Sequence, residues 1–199
     1  NRIPKKTGGI SLVHLLTDLG GIECEGTIAK LSENQFYFLS AAVAEIHDED
    51  WLVQQCLLGE QVQVKNVTDD YGVLVLTGPK SREILSQITD ADLSNEAFPW
   101  LRYRQIQISG IPVRALRVSY VGELGWELHH PMNQMQTLYE QLHQAGKAYG
   151  LTDFGTYAVN SLRMEKAYKA WGGELTTEIT PVEADLMRFV DFSKSFIGR

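Results

Sequence analysis

The stretch Arg117-Val-Ser-Tyr120-Val-Gly122-Glu123-Leu-Gly125-Trp126-Glu127-Leu-His129 is the part of the sequence from which the fold is most readily inferred. Its first part alternates, with Leu116, Val118 and Tyr120 on one side, which predicts a β-strand. Two glycines then interrupt the pattern, and glycine permits tight turns and close approach to the backbone. The strand pattern resumes at Trp126. A tyrosine, two carboxylates and a tryptophan are therefore expected around a bent strand end, although an ordinary hairpin rim would show the same pattern.

Outside this stretch, strands and helices alternate without a parallel repeat. This predicts an α+β fold with mainly antiparallel sheets and packed helices. Helices are expected to begin near Asp48, as a capping residue, and near Pro79, and two more are expected over about 135–146 and 156–169. The strand-helix-strand-strand-helix order near 61–145 suggests a ferredoxin-like half. Strands are predicted at 10–19, 27–31, 35–39, 61–64, 73–76, 103–108, 112–119 and 189–192.

Composition excludes several classes of protein. The chain has 199 residues, a net charge of −7 and 44% hydrophobic residues, as expected of a globular protein with a substantial core. Its basic residues are scattered, whereas a nucleic-acid surface needs clustered Lys and Arg. No apolar run approaches the roughly 20 residues that span a bilayer. Cys24 and Cys56 fit a reducing compartment and form no metal-ligand spacing, and no Gly-x-Gly-x-x-Gly dinucleotide motif is present.

Together with Asn160-Ser-Leu-Arg163-Met-Glu165-Lys166, the stretch resembles the aminomethyltransferase family, the glycine-cleavage T-proteins. It is most similar to the folate-binding C-terminal part of dimethylglycine and sarcosine dehydrogenases, since Gly155-Thr-Tyr-Ala and Ala170-Trp-Gly fit that branch. The resemblance runs from about Gly20 to Gly198. It implies a partial T-protein-like folate-binding region over 1–199, lacking the terminal barrel, which would follow Arg199. The ferredoxin-like half would occupy about 58–145, and residues 1–57 and 146–199 would form a discontinuous first domain.

The resemblance also implies the site residues. In Gly20-Gly-Ile-Glu-Cys-Glu25-Gly-Thr27, Glu25 falls at the family's catalytic aspartate, and Thr27 falls at a folate contact. A carboxylate there can stabilise a cationic one-carbon unit and accept a proton, although Glu25 as a surface turn residue remains an alternative. Glu127 matches the carboxylate that pairs with the pterin ring, and Tyr120 matches the aromatic residue that lies against it. The remaining folate contacts are expected at His129 and Arg188.

The implied function is a tetrahydrofolate-binding module that captures a methylene unit, derived from an N-methyl amine, as 5,10-methylenetetrahydrofolate. FAD is expected only in a missing N-terminal domain, so the chain alone is expected to be inactive. The resemblance implies the bacterial cytoplasm or the mitochondrial matrix, and neither nucleic acid nor membrane is an expected partner.

Two alternatives stay open. A stand-alone aminomethyltransferase would need a lipoyl carrier protein, and Val159, where T-proteins carry an arginine, speaks against it. A non-catalytic relative is favoured by departures from the family pattern at Glu25, Ala41 and Arg188. A dinucleotide motif upstream of Asn1 would indicate the dehydrogenase.

Overall fold

The computed structural model describes all residues from Asn1 to Arg199. They form two compact units. Unit 1 comprises Asn1–Thr68 and Lys169–Arg199, and unit 2 comprises Asp69–Tyr168. The sequence had placed the corresponding boundaries near residues 57 and 146. The difference at the second boundary arises because the last long helix belongs with unit 2.

Unit 1 contains an antiparallel sheet of three strands in the order β1-β2-β3. The strands are β1 (Ile10–Leu16), β2 (Ile22–Ser32) and β3 (Gln35–Leu39). A helix, α1 (Glu45–Gln54), follows. Strand β1 ends before residue 19 because a tight turn closes there, with the Gly20 N–H donating to the Thr17 carbonyl at 2.9 Å and Gly20 at φ +85°.

The second part of unit 1, Lys169–Arg199, is called the C-terminal segment, and it covers the beginning of β2. Ile22 is fully buried in a cluster with Leu175, Ala184 and Leu186. The Ile22 N–H also lies within hydrogen-bond distance of two carbonyl oxygens of this segment, that of Thr176 at 3.1 Å and that of Ile179 at 3.0 Å. Burying a side chain of this size stabilises a fold by about 1.5–3 kcal/mol. The C-terminal segment thereby fixes the strand that carries Glu25.

Unit 2 contains a four-stranded antiparallel sheet in the order β4-β7-β6-β5. Its strands are β4 (Tyr71–Thr77), β5 (Tyr103–Ile108), β6 (Ile111–Leu116) and β7 (Gly125–Pro131). Its helices are α2 (Ser81–Leu85), α3 (Met135–Gly146) and α4 (Thr156–Glu165). The mixed α+β class with antiparallel sheets is confirmed. Along the chain, β7 is one strand more than the strand-helix-strand-strand-helix order expected for this half. In the sheet it lies between β4 and β6.

The main core of unit 2 lies on one side of this sheet. Trp126 and Leu128 of β7 are completely buried there, together with Leu138 of α3 and Leu85 of α2. These residues alternate along β7 with Glu127 and His129, as the period of a strand requires. The side chains of Glu127 and His129 therefore lie on the face opposite to this core.

Several predicted elements do not form. Residues 61–64 and 189–192 belong to neither sheet. Val62 is largely exposed, so residues 61–64 have neither a partner strand nor a buried face. The 189–192 region begins instead in a single 3₁₀ turn, Met187–Phe189. Asp48 does not cap its helix, because α1 begins at Glu45 and Asp48 is buried inside it.

The strand predicted at 112–119 ends at Leu116. Beyond it, the Val118 N–H donates to the Leu116 carbonyl at 2.9 Å, which makes a tight turn. The Arg117 side chain donates to the Asn95 amide oxygen at 2.7 Å and to the Phe98 carbonyl. The alternation predicted through Tyr120 is therefore wrong: Leu116 is completely buried and Tyr120 is 41% exposed.

Candidate functional site

Glu25 lies in the middle of β2 and not in a turn. It pairs directly across the sheet with His14 of β1, and its Oε2 lies 3.0 Å from His14 Nε2. The Glu25 side chain keeps 18% of its surface exposed, whereas that of His14 keeps 3%. The carboxylate is therefore held on one side and accessible on the other.

Gly26 gives the neighbouring strand the room it needs. A Cβ added to Gly26 would lie 2.4 Å from Cε2 of Phe38 on β3. The glycine keeps a negative φ in a continuous strand. It therefore allows β3 to pack closely against β2.

The other residues predicted in unit 1 lie on two elements. Thr27 is half-buried on β2, two residues from Glu25 and on the same face, because side chains alternate along a strand. Arg188 is exposed, and its guanidinium carbon lies 4.8 Å from the ring centroid of Phe189. The Phe189 ring centroid in turn lies 5.8 Å from that of His14. Arg188, Phe189, His14 and Glu25 therefore form a continuous series of contacts.

A second polar cluster in unit 1 was not predicted. His47 Nε2 lies 2.7 Å from Glu23 Oε1, and His47 Nδ1 lies 2.9 Å from Asp48 Oδ1. These hydrogen bonds, first to Asp48 and then to Glu23, raise the pKa of His47. The Trp171 indole N–H donates to the Glu23 carbonyl at 3.0 Å, and the Trp171 and His47 ring centroids lie 6.4 Å apart. Between the two glutamates of β2, burial and the neighbouring Asp48 raise the pKa of the Cys24 thiol, which keeps it an inert thiol.

Glu127 of unit 2 lies on β7, opposite Val75 of β4 and Leu116 of β6. Its side chain is 27% exposed, and its Oε2 lies 3.4 Å from His129 Nε2. His129 itself keeps only 1% of its surface exposed, so it offers little surface to a ligand. Its position instead supports the Glu127 carboxylate.

Tyr120 lies in the turn after β6 and stacks on Tyr168, with ring centroids 6.4 Å apart and planes at 18°. Arg163 fixes Tyr168 by donating from Nη1 to its carbonyl at 2.8 Å and from Nε to the Asn160 amide oxygen at 2.7 Å. Helix α4 ends before residue 169 because Ala167 adopts φ +56° and the Tyr168 N–H returns to the Arg163 carbonyl. Tyr168 was not predicted as an aromatic partner of Tyr120, although it lies two residues after the Asn160–Lys166 motif.

The cavities do not coincide with the predicted site residues. A cavity of about 370 Å³ in unit 1 is lined by His14, Phe38 and Trp51 among others. A second cavity, of about 430 Å³, lies in unit 2 and is lined by Glu123, Tyr139 and Asp153 among others. None of the six predicted site residues lines either cavity.

No cluster of three or more His, Cys, Asp or Glu side chains could hold a metal ion, and no helix is long and apolar enough to cross a membrane.

The resemblance assigns a pterin contact to Glu127 of β7 and another to Tyr120 in the preceding turn. A pterin presents an amino group and a ring N–H side by side, and a carboxylate accepts two such donors. Glu127 supplies a partly exposed carboxylate, with His129 near one oxygen. Tyr120 supplies a ring that is 41% exposed in this structure.

Comparison with known families places the chain in one of them. The sequence model of the GCVT N-terminal domain matches residues 1–194. The chain belongs to the GCVT N-terminal domain family. This confirms the resemblance to the aminomethyltransferases on which the site residues were predicted.

Individual relatives fall into two groups. The chain is 43% identical to mouse mitochondrial dimethylglycine dehydrogenase, covering 100% of this chain and 23% of that protein. It is 35% identical to mouse mitochondrial sarcosine dehydrogenase, covering 93% of this chain and 22% of that protein. An aminomethyltransferase of Caldanaerobacter subterraneus is 37% identical and is covered over 48% of its length. The chain thus spans about a quarter of the dehydrogenases and about half of this aminomethyltransferase.

The solved structures show the same fold. The crystal structure of the glycine cleavage system aminomethyltransferase T from Bartonella henselae matches with a TM-score of 0.84 at 25% identity, over 97% of this chain and 51% of that chain. A heterotetrameric sarcosine oxidase from Corynebacterium matches with a TM-score of 0.55 at 19% identity, which shows similarity of fold alone.

Proposed function

We propose that this chain is the tetrahydrofolate-binding, one-carbon-transfer module of a dimethylglycine or sarcosine dehydrogenase-like protein. It would capture a methylene unit as 5,10-methylenetetrahydrofolate. The observation that carries the proposal is the Glu25 carboxylate on β2, partly exposed and held through one oxygen by a buried histidine. The mouse dimethylglycine dehydrogenase, with 43% identity over the whole chain, supports the dehydrogenase branch.

Glu25 has two roles in this proposal. Tetrahydrofolate supplies the nitrogen nucleophiles. As a new C–N bond forms to the cationic one-carbon unit, the attacking N–H releases its proton, and the ionised Glu25 carboxylate accepts it. The same negative charge stabilises the cationic one-carbon unit before the bond forms. Oε1 is the oxygen available for these roles, because Oε2 is hydrogen-bonded to His14.

Glu127 and Tyr120 bind and orient the pterin. The Glu127 carboxylate accepts from the pterin amino group and ring N–H, which fixes the ring in its plane. Tyr120, supported by Tyr168, covers the face of the ring. Thr27 and Arg188 are further proposed folate contacts in unit 1, and His129 acts through Glu127.

A flavin domain outside this chain would produce the one-carbon unit from an N-methyl amine. This part of the proposal rests on the dehydrogenase relatives, of which the chain covers 23% or less. The matrix of mitochondria or the bacterial cytoplasm is the corresponding proposed location. A stand-alone aminomethyltransferase working with a lipoyl carrier protein is the second candidate, supported by the 37% identity to the Caldanaerobacter protein.

The test is single-turnover methylene capture by the whole protein and its Glu25 variants. Glu25→Gln preserves size but removes the charge, so capture should fall about 10²–10⁴-fold, the usual contribution of a positioned acid–base group. Glu25→Asp should also lose activity, because the carboxylate is withdrawn by one methylene and errors near 1 Å cost about a hundredfold. Glu23→Gln, on the same strand face, is the matched control. Equal capture by all four proteins would show that Glu25 has no catalytic role.

A further inference from the structure

We propose that His14 is a positioning residue for Glu25, a role that rests on the proposed function of Glu25. In this role His14 donates its Nε2–H to Glu25 Oε2. The donation fixes the glutamate side chain in one conformation and keeps Oε1 directed away from the histidine. The proposal adds a residue of β1 to a site so far assigned on β2.

The first support is the register of the sheet. His14 and Glu25 are directly opposite each other on β1 and β2. Directly opposite side chains in an antiparallel pair have Cβ atoms about 4.5–5.5 Å apart. The pairing of β1 with β2 therefore places the two side chains within reach of each other. The 3.0 Å distance between Nε2 and Oε2 is a hydrogen bond with ordinary geometry.

The second support is the direction of the hydrogen bond. An ionised carboxylate is an acceptor only, so the hydrogen between the two atoms must belong to His14 Nε2. The carboxylate of β2 nearest to this pair along its face, Glu23, is occupied by a different histidine, His47, at 2.7 Å. The two glutamates of this face therefore have separate histidine partners.

The third support is the immobility of the ring. The His14 side chain is 3% exposed, and its ring lies 5.8 Å from that of Phe189. A glutamate side chain has one more rotatable bond than an aspartate and therefore more conformations. A fixed hydrogen-bond donor beside Glu25 restricts these conformations. His14 thus compensates for the extra methylene that distinguishes this chain from the family's aspartate.

Four histidines lie within 3.4 Å of a carboxylate more than one residue away in the chain, and they fall into two groups by side-chain exposure. His14 and His129, which contact Glu25 and Glu127, have side chains 3% and 1% exposed. His47 and His143, which contact Glu23 and Asp153, have side chains 46% and 34% exposed. The carboxylates proposed to act on folate are the ones held by buried rings.

The kinetic experiment compares His14→Ala, His14→Gln and the control His143→Gln in the whole protein. Residues that orient the ligands of metal sites by hydrogen bonding are worth about 10–100-fold; by analogy, His14→Ala should lower kcat for methylene capture by about that factor. It should leave KM for tetrahydrofolate within about twofold, because His14 acts through Glu25. His14→Gln should recover most of kcat, because its amide nitrogen reaches the same place and donates. His143→Gln removes a contact of the same 3.0 Å length, to Asp153, which has no role in the proposed reaction, and should behave as wild type.

A second readout needs neither folate nor activity. NMR of protein labelled with ¹⁵N-histidine should show a hydrogen on Nε2 of His14, and this signal should shift in Glu25→Ala. A hydrogen on Nδ1 instead, or an unchanged signal in Glu25→Ala, would overturn the pairing even if no His14 variant folded. Full activity of His14→Ala in a protein that requires Glu25 would overturn the positioning role alone. Full activity of Glu25→Gln would overturn the proposed function, while the NMR result would still report on the pair.

Discussion

At the residue scale, Glu25 and Glu127, the two carboxylates proposed to act on folate, each have one oxygen near a buried histidine and part of the side chain exposed. The open fraction is 18% for Glu25 and 27% for Glu127. A carboxylate held in this way loses little conformational freedom on binding a ligand.

Changing Glu127 to Gln should weaken binding of folinate by the intact protein. The substitution replaces an acceptor oxygen by a donor that faces the donors of the pterin. Loss of a charged hydrogen bond, together with an unpaired group, should cost roughly 2–4 kcal/mol in binding free energy. Calorimetry measures this, with Glu140→Gln on the exposed surface of α3 as the matched control. Unchanged affinity in Glu127→Gln would remove Glu127 from the pterin site.

His47 should make stability depend on pH. Its pKa is raised in the folded protein, so protonation favours folding. The contribution should be fully present below about pH 6.5, the ordinary value in the unfolded chain. It should be lost as pH rises through the raised folded-state pKa. Because the side chain is 46% exposed, the effect should stay within about 0.2–1 kcal/mol.

Urea unfolding of wild type and His47→Gln at pH 5.5 and pH 9 measures this dependence. The stability difference between the two proteins should be larger at pH 5.5 and should shrink at pH 9. A difference that grows toward pH 9 would mean that neutral His47 is the stabilising form.

At the element scale, the entry into β2 depends on close contact with the C-terminal segment. A Cβ added to Gly21 would lie 1.8 Å from the Thr177 carbonyl oxygen, so backbone would have to move. The Gly21 N–H also donates to the Thr17 hydroxyl at 3.1 Å. Position 21 therefore requires glycine, because a larger side chain would collide with the backbone at Thr177.

Gly21→Ala should destabilise the protein by about 1–3 kcal/mol or more, the usual cost of overpacking. Gly173→Ala is the matched control, because its added Cβ would meet nothing nearer than the Ala170 carbonyl oxygen at 3.8 Å. Thermal unfolding measures both. Equal midpoint temperatures of thermal unfolding for the two variants would show that the backbone at Thr177 moves aside without loss of stability.

The turn between β6 and β7 is a second element whose shape depends on distant residues. The Leu124 carbonyl accepts from the Gly78 N–H at 2.8 Å and from the Ser81 hydroxyl at 3.0 Å. Thr77 adds a third donor at 3.3 Å. The Gly78-Pro79 turn thus has a structural role in holding the glycine-rich turn that precedes Glu127.

At the scale of the whole molecule, both ends of the chain build unit 1, and unit 2 is formed by the residues between them. Unit 1 is complete only with its C-terminal part, since Leu175, Ala184 and Leu186 cover Ile22 of β2. The strand that carries Glu25 therefore completes its packing only with residues about 150–160 positions further along the chain. The chain covers 23% of mouse dimethylglycine dehydrogenase, and the proposed amine oxidation belongs to the remainder of such a protein.

The sequence alone was sufficient for features that depend on local pattern and on ordered motifs. Strand β7 and helix α3 follow from alternation and from helical spacing, which neighbouring residues determine. The family was recognisable because several short motifs occur in the same order. The same motifs led to Glu25 and Glu127, whose roles stay predictions for the experiments above.

The tertiary structure decided the features that depend on residues far apart in the chain. Residues 61–64 have the composition of a strand but no partner strand to receive their hydrogen bonds. The strand after Leu116 ends because Arg117 turns toward Asn95 and Phe98. His14 lies 11 positions before Glu25, and only the pairing of β1 with β2 brings their side chains to 3.0 Å. Residue type and local pattern can thus indicate a functional carboxylate, but what holds it in place is set by strand register and by packing across the chain.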